Sequence, residues 1–201
     1  VALAGTVQYG SPIFLRADVR GSSGFGAATG NIVFTDNRNA LPGDPFALNS
    51  QGNTITPFAF TTFAPGLHNI VSHYSGDASF NSSTAVPVSF QIIRAATGVN
   101  LTASSATVTQ GDSVTLTAVV VTNGFGNAPT NRVFFFDGAT QIGAVVPTGG
   151  FDPVTGTTTA TAVLTKKLST VGMNSITAMY HGDFNHLTST SLPVTITVTA
   201  P

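Results

Sequence analysis

The side chains able to do acid–base or ligand chemistry in this chain are few. There are four His, eight acidic residues and no Cys. None of the acids is Glu, so every carboxylate is an Asp. Two Asp occupy matched places, each with a His beside the preceding Tyr: His73-Tyr74-Ser75-Gly76-Asp77 in the first half, Tyr180-His181-Gly182-Asp183 in the second. A His next to a carboxylate is the beginning of a metal or acid–base site, but zinc takes about three or four ligands and no third stands nearby. Calcium takes about six to eight oxygens, several of them carboxylates, and no carboxylate-dense loop is present. The plainer account is a surface His at a strand end, followed by a turn whose Asp accepts backbone N–H groups. Tyr74, Gly76, Asp77, Tyr180, Gly182 and Asp183 are read here as structural turn residues. His68 and His186 lie near opposite ends of their segments and form no common cluster. Ser-based catalysis needs a hydroxyl on a strained elbow, and no Gly-x-Ser-x-Gly occurs. Gly21-Ser22-Ser23-Gly24-Phe25-Gly26 lacks the Lys of a phosphate loop and reads as an inter-strand connection. No catalytic residue, metal or cofactor is expected, and the chain is read as non-enzymatic.

What must position these residues is an all-β scaffold. Charged residues make up 7% of the 201, against about 25% in ordinary soluble domains, and the net charge is −1. No basic surplus is available for nucleic acid or anionic lipid. No apolar run approaches the roughly 18 residues of a spanning helix; the longest, such as Ala118-Val119-Val120-Val121, are strand length. No membrane insertion is expected. No signal-peptide pattern opens the chain, and its start at Val1 without Met suits a processed form or an excised piece. Thr, Val, Ile and Phe replace the long polar helix formers. Alternation of period two is clear in Val114 to Val119, Thr157 to Leu164, Asn174 to Tyr180 and Val194 to Thr199. Gly111-Asp112, Gly124-Phe125-Gly126, Asp137-Gly138, Gly149-Gly150 and Gly182-Asp183 punctuate them as turns.

The chain repeats itself at about 100 to 106 residues, the length of a sandwich domain. Gly24-Phe25-Gly26 recurs as Gly124-Phe125-Gly126, and Ile32 to Asp36 as Val133 to Asp137. The Tyr-x-Gly-Asp segments recur likewise, and Pro87-Val88 returns as Pro193-Val194. Each half resembles the bacterial Ig-like domain repeats of large secreted and surface proteins. The motifs that carry the resemblance are Gly111 to Ala118, Val133 to Gly138 and Gly172 to Asp183. Weaker versions stand at Gly10 to Ala17, Ile32 to Asp36 and Gly66 to Asp77. The resemblance implies two tandem Ig-like β-sandwiches, 1–95 and 96–201, with seven strands each in Greek-key antiparallel sheets. It also implies a spacer, adhesive or structural role outside the cell. One departure stands out. A full first strand, Gly98 to Ala103, precedes Thr107-Val108, whereas only five residues precede the equivalent Thr6-Val7. Two explanations stand: a strand cut off or irregularly replaced, or one supplied by a neighbour through β-augmentation.

The remaining signal concerns assembly. Outward strand positions carry Thr, Ser and Asn in place of charges. The alternation puts Val133 and Phe135 inward and turns Phe134 and Phe136 outward, where the first half has Val33 and Thr35. Two adjacent outward aromatics suggest a covered surface, by the sister domain or another subunit, or a shield formed by Gly149-Gly150-Phe151. Phe134, Phe136 and Val33, with Val1, Leu3 and Val7 beside the incomplete strand, form the expected interface. The expectation is an extracellular structural protein, a self-assembling fibre or surface-layer subunit whose main partner is itself. The alternatives are stalk repeats of an adhesin, or a module that binds a glycan or host protein through loops at Phe25, Phe125 and Asn127. Asn81-Ser82-Ser83 and Asn100-Leu101-Thr102 fit the N-glycosylation pattern, which arises easily by chance in so hydroxyl-rich a chain.

Overall fold

The computed structural model describes residues 5–22 and 26–201. Val1 and Leu3, from the expected interface, and Phe25, from the expected binding loop, lie outside them. The chain divides into two units, Val1–Ile93 and Arg94–Pro201. Each is built of strands, and no helix among the described residues is long and apolar enough to cross a membrane.

The first unit contains β1 (Thr6–Gln8), β2 (Arg16–Asp18), β3 (Asn31–Asp36), β4 (Asn39–Ala40), β5 (Phe46–Ala47), β6 (Asn53–Ile55), β7 (Gly66–Tyr74), β8 (Ser83–Thr84) and β9 (Val88–Ile93). The second contains β10 (Thr97–Ala103), β11 (Thr107–Thr109), β12 (Ser113–Asn123), β13 (Val133–Asp137), β14 (Thr140–Val145), β15 (Thr148–Asp152), β16 (Thr157–Lys167), β17 (Gly172–Tyr180), β18 (Ser189–Thr190) and β19 (Val194–Thr199).

In the second unit one sheet runs β10-β12-β16-β15 and the other β11-β19-β17-β13-β14, with β18 beside β17. Thr, Val and Ala alternate along β12, so Val114, Leu116, Ala118 and Val120 turn inward and are fully buried. From the facing sheet Val133, Phe135, Ile176, Ala178, Tyr180, Ile196 and Val198 close the same core. The strand count exceeds the expected seven for physical reasons. The first strand breaks at Ser104–Ala106 and changes sheets, giving β10 and β11, and the β13–β14 hairpin extends the other edge. Because the chain crosses over without reversing, β11 meets β19 parallel, Val108 opposite Val198; β1 meets β9 the same way, Val7 opposite Ile92. The other ladders are antiparallel.

The first unit keeps one large sheet, β1-β9-β7-β3-β4 with β5 and β8, but its second sheet is only β2 and β6, three residues each. Aromatic rings fill in for the shorter sheet. Centroids of Phe34, Phe46, Phe58, Phe60 and Phe63 follow one another at 5.8, 6.1, 5.3 and 5.6 Å, and Phe63 meets Phe90 at 5.5 Å. The β3–β4 hairpin turns on Asn37 and Arg38, both with positive φ (48° and 75°), as a tight two-residue hairpin loop requires.

Gly149-Gly150, expected as a turn, lies inside β15, paired to Ala160 and Thr159 of β16. A Cβ on Gly149 would collide with the Thr159 carbonyl, so the glycine marks a close backbone approach within a ladder.

Candidate functional site

The Tyr-x-Gly-Asp segments place a carboxylate where the β7 and β17 strands end. Asp183 Oδ2 accepts the Thr130 N–H (3.0 Å), the Thr130 hydroxyl (3.1 Å) and the Tyr180 hydroxyl (2.8 Å). Its Oδ1 accepts the N–H groups of Asn185 and His186, and His186 Nδ1 lies beside it, each at 2.8 Å. Gly182, at φ 76°, makes the turn possible: a Cβ there would press on the His186 carbonyl and the Thr188 N–H. Burial by itself would raise the Asp183 carboxyl. The surrounding donors of Thr130, Tyr180, Asn185 and His186 outweigh burial and hold it down at about 2. Burial, then the bond to Asp183, pushes the Tyr180 phenol far above its usual range.

Asp77 repeats the arrangement. It accepts the Thr29 N–H (2.7 Å) and hydroxyl (2.8 Å), and the N–H groups of Ser79 (2.7 Å) and Phe80 (2.8 Å). The Thr29 N–H, then that of Ser79, keep its carboxyl well below the ordinary carboxylate range. The Tyr74 hydroxyl donates to the Thr29 carbonyl at 2.7 Å. The carboxylates are thus saturated by donors of the loops they tie.

The histidines sort differently from their sequence pairing. His181 is exposed, with its ring edge-on to Phe134 at 5.8 Å. His73 lies between the hydroxyls of Thr35 (3.3 Å) and Thr84 (3.1 Å). The histidine beside Asp183 is His186, three residues on. His68 is buried, 2.6 Å from the Asp36 carboxylate and 2.7 Å from the Ala64 carbonyl. Its place is taken in the second unit by Asn174, whose amide donates to the Thr170 carbonyl at 2.9 Å. His68 shares the parity of Ile70 and Tyr74, and that alternation was a sign of its burial. Among the described residues no group of three or more His or Asp could hold a metal.

The expected interface residues do not share one face. Phe134 and Phe136 turn outward and are half-buried; Phe134 stands opposite Met179 and Phe136 opposite Thr177. Met173 continues that face at 83% exposure. Strands β11, β13, β14, β17, β18 and β19 carry no Lys or Arg and one carboxylate, Asp137. Phe151 does not shield these rings. It belongs to β15 of the other sheet and meets Phe125, 4.9 Å between centroids. Val33 faces outward opposite His73, while Val7 sits on the inner side with buried Ile92.

Among solved structures, the fibronectin(III)-like modules of Clostridium thermocellum CbhA are 15% identical over 98% of this chain and 90% of theirs, with a TM-score of 0.36. The structure of Rst D1-D2 is 12% identical over 98% of this chain and 94% of its own, TM-score 0.39. The Escherichia coli adhesin FdeC is 15% identical over 96% of this chain and 61% of its own, TM-score 0.38. No curated protein matches the chain. A family model matches twice, over residues 1–93 and 101–199, and with both sandwiches accounted for the chain belongs to the bacterial Ig-like domain family, group 3.

Proposed function

We propose that this chain is a non-enzymatic extracellular structural protein, a self-associating fibre or surface-layer subunit built of tandem Ig-like units. The observation that carries the reading is the outer face of the β11-β19-β17-β13-β14 sheet. Phe134, Phe136, Met179 and Met173 stand there among Ser and Thr, and the strands hold a single charge. Soluble monomers guard such faces and edges with Lys and Glu. Full burial of one such ring is worth roughly 1.5–3 kcal/mol, so a contact that completes the burial of Phe134, Phe136 and Met179 and covers exposed Met173 supplies a useful part of an association energy. Family membership and the charge-poor, hydroxyl-rich exterior support a location at the cell surface.

The test is electron microscopy of the native material beside size-exclusion chromatography over a concentration series. Regular filaments or large species that disappear in a Phe134→Thr, Phe136→Thr variant with unchanged far-UV circular dichroism are expected. Dispersed monomers at every concentration, or filaments indifferent to the substitutions, overturn the reading. One observation favours a second reading: Phe125 and Phe151, 47% and 38% exposed, form a tilted pair of rings at a loop end suited to a sugar or protein ligand. Glycan-array binding abolished by Phe125→Ala would establish it.

A further inference from the structure

The two units treat the same sheet edge differently. In the second, β10 covers β12 antiparallel, with Val99 opposite Val120 and Leu101 opposite Ala118. Ser104 N–H donates to the Thr115 carbonyl at 2.9 Å, so Thr115 and its alternate neighbours face β10. Just before β10, Ala95 is fully buried and clasped by the Asn185 carbonyl and the Leu187 N–H, both at 2.8 Å. The Thr97 hydroxyl meets the Ser189 hydroxyl at 2.6 Å.

In the first unit β2 takes the place of β12, and among the described residues it pairs with β6 alone. Leu15 and Val19 bond toward β6, through Thr56 N–H to the Leu15 carbonyl and Val19 N–H to the Gly52 carbonyl, each 2.9 Å. Alternation then turns the N–H and C=O groups of Phe14, Arg16 and Asp18 to the other edge. That edge opens on a cleft of about 330 Å³ between Ala17, Asp18 and Val19 on one wall and Tyr74, Ser83 and Thr84 on the other. A second cleft of about 420 Å³ continues past Ser79 and Asn81. Ser83 pairs with Tyr74 as Ser189 pairs with Tyr180. Ser79 and Asn81 hold the places of Asn185 and Leu187 relative to the two Asp turns, as the matched Asp77–Phe80 and Asp183–His186 backbone bonds show. The two clefts therefore trace the path that Ala95 to Val99 fills in the second unit.

We propose that this groove is a strand-docking site. Its occupant is an extended segment that continues the last strand of another Ig-like unit and carries small apolar residues at alternate positions. The argument for that occupant is the second unit itself: β9 runs through Arg94 directly into the strand that fills the equivalent groove. Arg16 and Asp18 neutralise each other at 2.7 Å, and Arg20, which lines both clefts, leaves the groove with one positive charge. The groove stands apart from the sheet face treated above, so a chain that forms no filaments but takes the strand retains this site.

The probe is a synthetic peptide of the Arg94–Ser104 sequence added to the full chain, followed by titration calorimetry and hydrogen exchange. One-to-one binding is expected, with exchange at Phe14–Asp18 slowed at least tenfold. In β10 the residues facing the edge are Asn100 and Thr102, so N-methylation at those two abolishes binding and N-methylation at Val99 and Leu101 does not. Arg16→Pro, which removes an edge-facing N–H and leaves the β6 ladder intact, lowers affinity at least tenfold with unchanged exchange in β7. Protection appearing at β12, equal binding by both methylated peptides, or no binding to the chain with and without Val1–Ala4 overturns the proposal. So does binding only after those four residues are removed, since the groove then belongs to them.

Discussion

Replacing Asp183 by Asn tests whether the Tyr-x-Gly-Asp segment is a load-carrying tie. The carboxylate accepts from Thr130, Tyr180, Asn185 and His186, and an amide can satisfy only one side of that set. With the Asn oxygen toward Asn185 and His186, its NH2 meets the Thr130 N–H, and a donor faces a donor. The hydroxyls of Thr130 and Tyr180 can rotate to accept, so the unrelieved cost is one unsatisfied N–H plus the loss of charge-assisted bonds, about 2–3 kcal/mol. Linkage gives the same size. Holding the carboxyl at about 2 against an ordinary 3.8 corresponds to about 2 kcal/mol. The sign follows from the depressed value: the stabilisation is present above about pH 4 and disappears as pH falls toward 2. Urea unfolding at pH 6 and at pH 2.5, read by hydrogen exchange of second-unit segments, should show Asp183→Asn weaker by about 2–3 kcal/mol at pH 6 and by under half that at pH 2.5. A loss below about 0.5 kcal/mol, or one independent of pH, would refute the reasoning.

Other substitutions probe other links. Tyr180→Phe removes one buried hydroxyl that donates to Asp183 and should cost about 1–2 kcal/mol in thermal or chemical unfolding of the second unit. Gly149→Val drives a side chain into the Thr159 carbonyl, so exchange should quicken across β15 while β12 stays protected. Leu116→Ala empties a fully buried position and should cost about 2–5 kcal/mol by urea denaturation. Arg38→Gly relieves a left-handed residue at φ 75° and should raise first-unit stability by about 0.5–1 kcal/mol, seen as a higher denaturation midpoint.

The parts of the fold legible in the sequence were those where burial alternates strictly. β12, β16, β17 and β19 carry mostly Thr, Ser or Met outward and Val, Leu, Ala or Ile inward, although Thr122 and Thr158 turn in at strand ends and Val163 turns out. The Asp turns were legible for a local reason, since their partners lie mostly within three residues or at the matched Thr29 and Thr130. What escaped depended on distance in the chain. The glycines of β15 carry the local chemistry of a turn, and only the nearness of Thr159 makes them a strand. The ring sequence from Phe34 to Phe63 replaces a sheet with aromatic packing, which leaves no periodic trace. The bond between Asp183 and His186 sits in a loop, where alternation says nothing.

The parallel contact of β11 with β19 has a mechanical meaning. Tension applied through the ends of the second unit reaches β10 first and strips it from β12; it then draws the start of β11 and the finish of β19 in opposite directions along their shared ladder. Val108 and its neighbours would then have to slide past Val198 together, since the geometry gives no free corner from which bonds could be peeled one by one. A repeat wired in this way yields early at β10 and then holds at the β11–β19 ladder, where all the bonds must give way at once.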